Sequence, residues 1–361
     1  ELATEAFGSK WNTAPNTTSG DAYCITFGAN LFVAGGFLTT GYPCVITSPD
    51  AITWTQTAIP AALSGIITRI AYANGVFVAG ASSNGQLFYS SDGLTWIISS
   101  STSPFTVRGL AYGNGKWVSV CSITNDFNFT PTTSTNNGVT WTTGTQQNGS
   151  GQSSDLFFYN GIFIVTTKSG KLFTSIDGIT WTLTADLDAL FAFSTIAGIT
   201  FGNNVFCAIS TGGGIVISSD LTNWTLVQAA YTSNYIFSDI DFFNGRFIAI
   251  GRENFGGTRT TVVLTSIYGT NWILYDTDIT NTDFLPADQS LANGNNTSVV
   301  INSSVTGIYD AIYSYSAPLQ NVYASSIYSD PNNIGQTWIM MLGNASVGFF
   351  ANGFTGKTIS L

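Results

Sequence analysis

The chain has 361 residues, with ten Lys and Arg, twenty Asp and Glu and no His, so its formal net charge is −10. The absence of His excludes His-dependent metal sites, Ser-His-Asp triads and His general bases. The scarcity of cations argues against binding to nucleic acid or anionic lipid, and the apolar runs are too short for membrane insertion by a spanning helix.

The first repeated element is a strand, a turn of two Asn or Gly residues, and a second strand. Copies lie at 70–80, 110–118, 157–164, 199–206 and 240–247, and most of them contain Asn-Gly. Asn-Gly is the preferred pair of a type I′ turn, because both central residues need positive φ. Each copy therefore predicts a tight hairpin, whose two strands we name A and B.

The second repeated element follows each hairpin and ends in Trp, and its clearest copy is Ser-Ser-Asp-Gly-Leu-Thr-Trp at 90–96. It reads as a strand C, a turn and a strand D. The aspartates of this turn are Asp50, Asp92, Asp177 and Asp220, and Asn137 and Tyr268 stand at that position in two other copies. A short Asp side chain can accept hydrogen bonds from N–H groups of its own turn, and the turn recurs in every unit. We therefore interpret these aspartates as structural and not as ligands.

The repeated Trp residues set the length of the unit. They are Trp54, Trp96, Trp141, Trp181, Trp224 and Trp272, with spacings of 42, 45, 40, 43 and 48 residues. Four antiparallel strands in about 40–50 residues are typical of one blade of a β-propeller. The expected fold class is all-β, a propeller of four-stranded antiparallel blades.

The two ends of the chain predict how the ring closes. Trp11 lies 43 residues before Trp54, as the last strand of an earlier unit would, and residues 347–354 read as a hairpin with no C and D strands after it. We expect residues 1–20 and 343–361 to share one split blade, with 276–298 as an insertion loop. The sequence then predicts a single domain over 1–361 with eight blades, or seven as the alternative.

The Ser-x-Asp-Gly-x-Thr-Trp phrase and the hairpin before it resemble the Asp-box, or BNR, repeat. The combination of this phrase with the hairpin before it is similar to repeats in phage tail-fibre and other virion proteins and in bacterial surface proteins. The resemblance implies a propeller, but it does not imply one function, because function depends on sites added to the fold.

Sialidases also carry Asp boxes, and that resemblance would imply three arginines, a Tyr nucleophile with a Glu partner, and an Asp acid. The five arginines, Arg69, Arg108, Arg246, Arg252 and Arg259, show no matching constellation in the sequence. A different glycoside hydrolase could use two carboxylates across the channel, taken from Asp155, Asp239 and Asp241. The sequence places no two of these at a defined separation.

The candidate binding face follows from strand order. In an antiparallel blade, the A–B and C–D turns share one face, and the B–C and D–A loops share the other. The A–B and C–D turns are short and uniform, whereas the long variable segments are all B–C or D–A loops, where binding residues usually lie. Two B–C loops combine aromatic rings with planar polar groups that suit a sugar. Their candidate ligand-binding residues are Asn125, Phe127, Phe129, Arg252, Asn254 and Phe255.

No metal site or cofactor is expected. The acidic stretch with Asp276, Asp278 and Asp283 could offer oxygens to Ca²⁺, but its spacing is not that of a known calcium loop. The four cysteines lie in apolar strand-like runs, which favours buried thiols, with a Cys24–Cys44 disulfide as the alternative.

These observations predict a non-catalytic protein of the virion surface, a phage tail-fibre or capsid-associated protein. Its loop face would meet a host-surface glycan or another virion protein. The alternatives are a secreted or cell-surface bacterial lectin-like propeller and, second, a sialidase-like glycoside hydrolase.

Overall fold

The structure is a computed structural model, and every element in it is a β-strand. It describes residues 12–14, 20–38, 42–57, 59, 65–82, 85–100, 105–122, 128–191, 195–229, 235–253, 259–281, 289–294, 297–302, 311–316, 327–329, 337–343, 346–351 and 357–360. The chain forms two compact units, Glu1–Tyr315 and Ser316–Leu361. The single domain expected over 1–361 stays a prediction.

Six blades carry the repeat, and each is built from four consecutive strands in the order A, B, C, D. Blade 1 consists of β2 (Gly20–Gly28), β3 (Leu31–Leu38), β4 (Pro43–Ser48) and β5 (Thr55–Thr57). Blade 2 consists of β6 (Ile67–Ala73), β7 (Val76–Ala81), β8 (Leu87–Ser90) and β9 (Ile97–Ile98). Blade 3 consists of β10 (Val107–Gly113), β11 (Lys116–Cys121), β12 (Thr130–Ser134) and β13 (Thr142–Thr143).

Blades 4 to 6 have the same strand order. Blade 4 consists of β14 (Ser153–Tyr159), β15 (Ile162–Thr167), β16 (Lys171–Ser175) and β17 (Thr182–Asp186). Blade 5 consists of β18 (Ile196–Gly202), β19 (Val205–Ser210), β20 (Ile215–Ser218) and β21 (Thr225–Gln228). Blade 6 consists of β22 (Tyr235–Phe243), β23 (Arg246–Glu253), β24 (Arg259–Ser266) and β25 (Ile273–Asn281).

A composite sheet joins the N-terminal strand to the strands after blade 6. Its order is β1–β28–β27–β26, from β1 (Asn12–Ala14), β26 (Gln289–Gly294), β27 (Thr297–Asn302) and β28 (Ala311–Ser316). Strand β26 contacts both β2 and β22, so this sheet lies between blades 1 and 6. The second unit holds a separate sheet of β29 (Ile327–Ser329), β30 (Thr337–Gly343), β31 (Ser346–Ala351) and β32 (Lys357–Ser360).

The predicted closure is therefore wrong. Strand β1 pairs with β28, matching Thr13 to Tyr313, while β32 pairs with β31, matching Val347 to Ile359. The N- and C-terminal strands do not share a sheet, and the expected eight repeat blades, or seven, are replaced by six among the described residues. The spacing of residues along the chain limits how far apart two strands can lie. It does not determine which sheet edges meet in register in the folded chain.

The A–B hairpins have the predicted turn chemistry. Asn74 and Gly75 have φ values of 51° and 74°, and Asn114 and Gly115 have 48° and 76°. In blade 5 the pair Asn203-Asn204 adopts φ values of 45° and 65°, so a second Asn replaces Gly. Asn and Gly tolerate this left-handed region better than other residues, which is why the turn recurs at these positions.

The core lies between blades as well as within them. Val33 of blade 1 packs in one buried cluster with Phe77 and Trp96 of blade 2, and Phe163 of blade 4 packs with Val118 of blade 3. Blade-to-blade packing of this kind buries both faces of each sheet, which explains the nearly continuous burial of the B strands. Cys24, Cys44, Cys121 and Cys207 are buried thiols that form no disulfide, as predicted, so the alternative Cys24–Cys44 disulfide is not formed.

Each A strand carries a β-bulge near its start. The registers shift between Ile67 and Arg69, between Val107 and Gly109, and at the equivalent step in the other four repeat blades. The extra residues are Tyr23, Thr68, Arg108, Ser154, Ala197 and Ser238. A bulge turns the side chains beside it away from the regular alternation, and here it turns them toward the middle of the ring.

Candidate functional site

The bulges line a central cavity of about 430 Å³. Its walls come from the starts of the A strands and from the ends of B strands, together with Thr195 of a D–A loop and Thr211 just after β19. These segments all lie toward the face with the B–C and D–A loops, which we call the loop face. The opposite face, with the A–B and C–D turns, we call the turn face. Sequence reasoning assigned binding to the loop face, and the cavity lies toward that face.

Four cationic side chains are among the lining residues. Arg69 and Arg108 come from the bulges of blades 2 and 3, Arg252 from the end of β23, and Lys168 from the segment after β15. Only two acidic side chains, Asp155 and Asp239, are among the described lining residues. Among the described lining residues, cationic side chains therefore outnumber acidic ones by two, in a chain whose net charge is −10. Such a local surplus in a concave site attracts anions.

Arg69 is held in place by backbone carbonyls of two blades. Its Nη1 donates to Thr68 O at 2.7 Å, and its Nη2 donates to Ser154 O of blade 4 at 3.2 Å. A guanidinium has five donors in a rigid plane, so these two bonds orient the group and leave further N–H directions in the same plane. Arg69 therefore spans from blade 2 to blade 4 within the cavity.

Asp155 and Asp239 occupy the same position in blades 4 and 6, directly after the bulge. Each carboxylate accepts a hydrogen bond from the next N–H, of Leu156 at 2.8 Å and of Ile240 at 2.9 Å. Burial raises the pKa of Asp155, and the positive charge of Arg69 opposes this rise. The cavity thus contains cationic hydrogen-bond donors as well as carboxylates, and the carboxylates accept hydrogen bonds from backbone N–H groups.

Hydroxyl groups complete the lining. Tyr23, Thr68, Ser154 and Ser238 all come from bulge positions. Thr68 Oγ1 donates to Val107 O at 2.7 Å, and Ser154 Oγ bonds with Thr166 Oγ1 at 3.0 Å. Ser238 Oγ is buried and has no hydrogen-bond partner within the described part of the chain. A buried hydroxyl without a partner is costly unless a ligand or water supplies one.

The predicted ligand-binding residues are only partly described. Arg252 lies in the cavity lining and is 8% exposed. Phe129 is fully buried, with its ring edge-on to Phe173 and Trp181 at centroid distances of 5.4 and 5.7 Å, so its ring is not available to a ligand in this conformation. Four of the candidates lie outside the described residues, namely Asn125, Phe127, Asn254 and Phe255. Their binding role stays a prediction.

The residues of the weak metal candidate are also only partly described. Asp276 and Asp278 lie on β25, but their side chains, and all of Asp283, are outside the described residues. Within the described ranges no group of three or more Cys, Asp or Glu side chains could hold a metal ion. No helix of the described chain is long and apolar enough to cross a membrane.

The aspartates of the C–D turns bond within their own turns. Asp92 Oδ1 accepts from Ser90 Oγ at 2.9 Å and from the N–H groups of Leu94 and Thr95 at 2.8 and 2.7 Å. Asp50, Asp177 and Asp220 make equivalent sets of bonds. These hydrogen bonds hold the C–D turn together, which explains why the aspartate recurs in these blades.

Blade 3 departs from the predicted alignment of this turn. Its side chain at the Asp position is that of Asn136, which accepts from Ser134 Oγ and from Thr140 N–H, both at 2.9 Å. Asn137, which the sequence placed there, is an added residue with φ of 57°. Its Oδ1 accepts a hydrogen bond from Asn74 of blade 2 at 2.9 Å.

The shared cavity was not found from the sequence. Arg69 and Arg108 were seen to precede A-strand cores, but their meeting with Arg252 and Lys168 depends on the bulges and on ring closure. A signal was present, because Arg69, Asp155 and Asp239 stand at one position of the aligned repeat, directly after the bulge. Comparing the charges at that single position would have indicated a common charged ring.

Comparison with known proteins shows the fold. None of the protein-family models matches the sequence, and none of the curated proteins does. Kinship with the Asp-box repeat is therefore not shown.

Solved structures do match. YCF48 from Cyanidioschyzon merolae is 16% identical with a TM-score of 0.60, and the match covers 84% of this chain and 98% of that one. YCF48 bound to D1 peptide is 14% identical with a TM-score of 0.62, covering 86% and 96%. Virginiamycin B lyase from Staphylococcus aureus is 12% identical with a TM-score of 0.65, covering 85% and 98%. At these identities the likeness carries the architecture and no activity: the chain is an all-β protein with the β-propeller fold.

Proposed function

We propose that this protein is a non-catalytic binding module that attaches to its partner through the loop face and the central cavity. The observation that carries the proposal is the cavity itself, whose lining gathers four of the chain's ten Lys and Arg residues. Uniform turns occupy the opposite face, where Asn and Asp side chains are engaged in bonds within and between blades. Binding residues usually lie on variable loops held by a rigid scaffold.

The partner proposed is a host-surface glycan, with another virion protein as the second choice. A place on the virion surface rests on the resemblance to phage repeats, and an extracellular or bacterial cell-surface location is the alternative. YCF48 bound to D1 peptide supports the general idea that a propeller of this shape binds a partner. Detection of the chain in purified phage particles would test the location.

A glycoside hydrolase is the second candidate function. Asp155 and Asp239 line one cavity, and three of the five arginines, Arg69, Arg108 and Arg252, lie there with them. A sialidase-like reaction would also require a Glu beside a Tyr nucleophile. Tyr23 lines the cavity, but both acidic residues in the described lining are Asp, so that pair is not assembled there. Release of reducing sugar from a glycan panel would favour the hydrolase, and binding without release favours the binding module.

The assignment of faces can be tested with single thiol labels. The four native cysteines are buried, so a maleimide should react with an introduced surface thiol. Gln146→Cys places the label on a D–A loop of the loop face, and Ile179→Cys places it on a C–D turn of the turn face. A bulky label at residue 146 should block binding to a glycan array, while the same label at residue 179 should not. Blocking by the residue 179 label alone would refute the proposed function.

A further inference from the structure

The Asn-Gly pairs carry a covalent chemistry of their own besides turn formation. The main-chain nitrogen of the Gly can attack Cγ of the Asn side chain, because a residue without a Cβ leaves this approach open. Three of the pairs, at Asn84, Asn293 and Asn352, have Asn side chains outside the described residues. In the six pairs that are described the Asn is exposed, namely at Asn74, Asn114, Asn137, Asn148, Asn160 and Asn244.

In two of these six pairs the side-chain amide is held by hydrogen bonds to another blade or turn. The Nδ2 of Asn114 donates to Gly161 O and to Ile176 O, both at 2.8 Å. The Nδ2 of Asn74 donates to Asn137 Oδ1 at 2.9 Å. An amide held in this way must lose its partners before it can turn toward the following nitrogen.

In two more pairs the attacking nitrogen is held instead. Gly138 N, after Asn137, donates to Ser134 Oγ at 3.0 Å. Gly149 N, after Asn148, donates to Asn128 Oδ1 at 2.8 Å. One of the two reactive groups is therefore engaged in four of the six described pairs.

At Asn160 and Asn244 neither reactive group is held. Within the described part of the chain, neither side-chain amide has a hydrogen-bond partner, and neither does the nitrogen of Gly161 or Gly245. Both turns have the same backbone form as the others, with φ values of 46° and 84° in the first and 50° and 73° in the second. The two pairs therefore differ from the other four in their hydrogen bonds and not in their turn type.

Access of solvent does not separate the four A–B turns that contain Asn-Gly. Apart from chain neighbours, a Cβ added at Gly75, Gly115 or Gly245 would meet no atom within 4 Å, and one at Gly161 would meet only Asn114 Oδ1 at 4.0 Å. Water and hydroxide can therefore reach all four turns. Hydrogen bonding of the Asn amide is the difference among them.

We infer that Asn160 and Asn244 are sites of covalent modification, at which the side-chain amide is lost and the residue becomes isoaspartate or aspartate. The nitrogen of Gly161 or Gly245 forms a bond to Cγ, the Cγ–Nδ2 bond breaks, and the displaced nitrogen leaves as ammonia with the proton of the Gly N–H. One water then opens the five-membered ring. Opening at Cγ gives aspartate, and opening at the main-chain carbonyl carbon gives isoaspartate, so one water is consumed for each ammonia released.

The hydrogen bonds control the rate because the turn must open before the nitrogen can reach Cγ. The tip of a hairpin opens locally at low cost. At Asn114 the same movement also breaks two hydrogen bonds to blade 4, which makes the open turn rarer. The amides of Asn160 and Asn244 add no such cost.

The modified turns also take part in the contacts between blades. Isoaspartate adds one carbon to the main chain of a two-residue turn, which displaces the carbonyl of the following Gly. Gly161 O accepts from Asn114 of blade 3, and Gly245 O accepts from Asn203 of blade 5 at 3.5 Å. The isoaspartate form at residue 160 should therefore melt at a lower temperature than Asn160→Asp, which has the carboxylate without the added carbon. Equal melting temperatures would contradict the loosening of this link.

The test of the sites is ageing of the full folded chain at mildly alkaline pH, followed by proteolysis and mass spectrometry. Loss of the amide raises the mass of a peptide by about 1 Da. We expect Asn160 and Asn244 to react roughly fivefold faster than each of the four held pairs. Equal rates at Asn160 and Asn114, or no reaction at Asn160 and Asn244, would overturn the inference.

Ageing in concentrated urea is the control for local sequence. In the unfolded chain the hydrogen bonds are absent and Gly follows every one of these Asn residues, so the six pairs should react within about twofold of one another. If Asn160 and Asn244 kept their lead in urea, the local sequence would explain it, and the inference would be overturned.

A matched variant releases one held amide. Asn137→Gly removes the acceptor of the Asn74 amide, and Gly readily adopts the φ of 57° at this position. We expect Asn74 to react roughly fivefold faster in this variant than in the wild type, while Asn244 keeps its rate. Thermal melting checks that the variant is folded. A folded Asn137→Gly variant with an unchanged rate at Asn74 would overturn the inference.

Discussion

The side-chain amide of Asn114, in the A–B turn of blade 3, donates to the carbonyl of Ile176, in the C–D turn of blade 4, at 2.8 Å. The same Nδ2 also donates to Gly161 O at 2.8 Å. Asn203 of blade 5 repeats the arrangement toward Gly245 and Ile267 of blade 6. Asn114 and Asn203 therefore each do two things, since each forms the turn of its own blade and links that turn to the next blade.

Substitution of Asn114 should measure this link between blades. Asn160 occupies the same turn position with φ of 46°, close to the 48° of Asn114. We expect Asn114→Ala to lower the free energy of unfolding by about 1 kcal/mol more than Asn160→Ala does, because only the first loses interblade hydrogen bonds. Urea denaturation of both variants checks this. Equal losses would mean that turn formation alone explains why Asn recurs at this position of the repeat.

The C–D turns should make the protein sensitive to acid. The N–H of Thr95 is the main cause that lowers the pKa of Asp92 to about 2, assisted by the N–H of Leu94 and opposed by burial. A lowered pKa in the folded state gives stability that is present above pH 4 and is lost as the pH falls toward 2. The pKa values of Asp50, Asp177 and Asp220 are lowered as well, so several turns lose stability together.

Asp92→Asn should remove the acid sensitivity of its turn but keep the turn, because Asn136 already fills this position in blade 3. Asp92→Ala should lower the free energy of unfolding by about 1 kcal/mol at pH 7, through loss of the acceptor. Thermal melting between pH 2 and pH 7 compares the two variants. If the melting temperature of Asp92→Asn fell between pH 7 and pH 2 by as much as that of the wild type, the assignment to the turn carboxylate would be wrong.

Gly113 provides a test of packing between blades. A Cβ at this last residue of β10 would overlap the ring of Phe158 in blade 4, and the equivalent glycines, Gly28 and Gly202, face Tyr72 and Phe242 in the same way. We expect Gly113→Ala to destabilise the protein by about 1–3 kcal/mol through overpacking. In the double variant with Phe158→Ala the combined loss should be smaller than the sum of the two single losses. Additive losses would show that the ring is not the obstacle.

The pairing of β1 with β28 predicts different outcomes for deletion at the two ends. Deleting residues 1–14 removes the partner of β28 and exposes a sheet edge, which should promote aggregation. Deleting residues 317–361 removes the second sheet as a whole and leaves no unpaired edge from it, because β29 to β32 pair among themselves in the described residues. Light scattering should therefore rise for the first deletion. The second deletion should leave the first unit folded and the scattering unchanged. The reverse pattern would contradict the importance of the β1–β28 pairing.

Local chemistry determined much of this protein. The Asn-Gly pairs, the aspartates beside Gly93 and Gly178, and the spacing of Trp residues each act over a few residues, so the hairpins, the turns and the four-stranded blades could be predicted from the sequence. Strand order alone also predicted that the B–C and D–A loops share one face, because antiparallel strands must alternate direction.

Only the tertiary structure decided how the ring closes and what lines its centre. The partner of β1 is β28 and not β32, since pairing depends on which edges meet after the blades have packed. Arg69 and Arg252 share one cavity although they are far apart in the chain, because the bulges and the circular arrangement of the blades bring their positions to a common axis. A periodic sequence repeats its short-range interactions in every unit, whereas the groups that meet at the axis come from different units and are set by the closure of the whole ring.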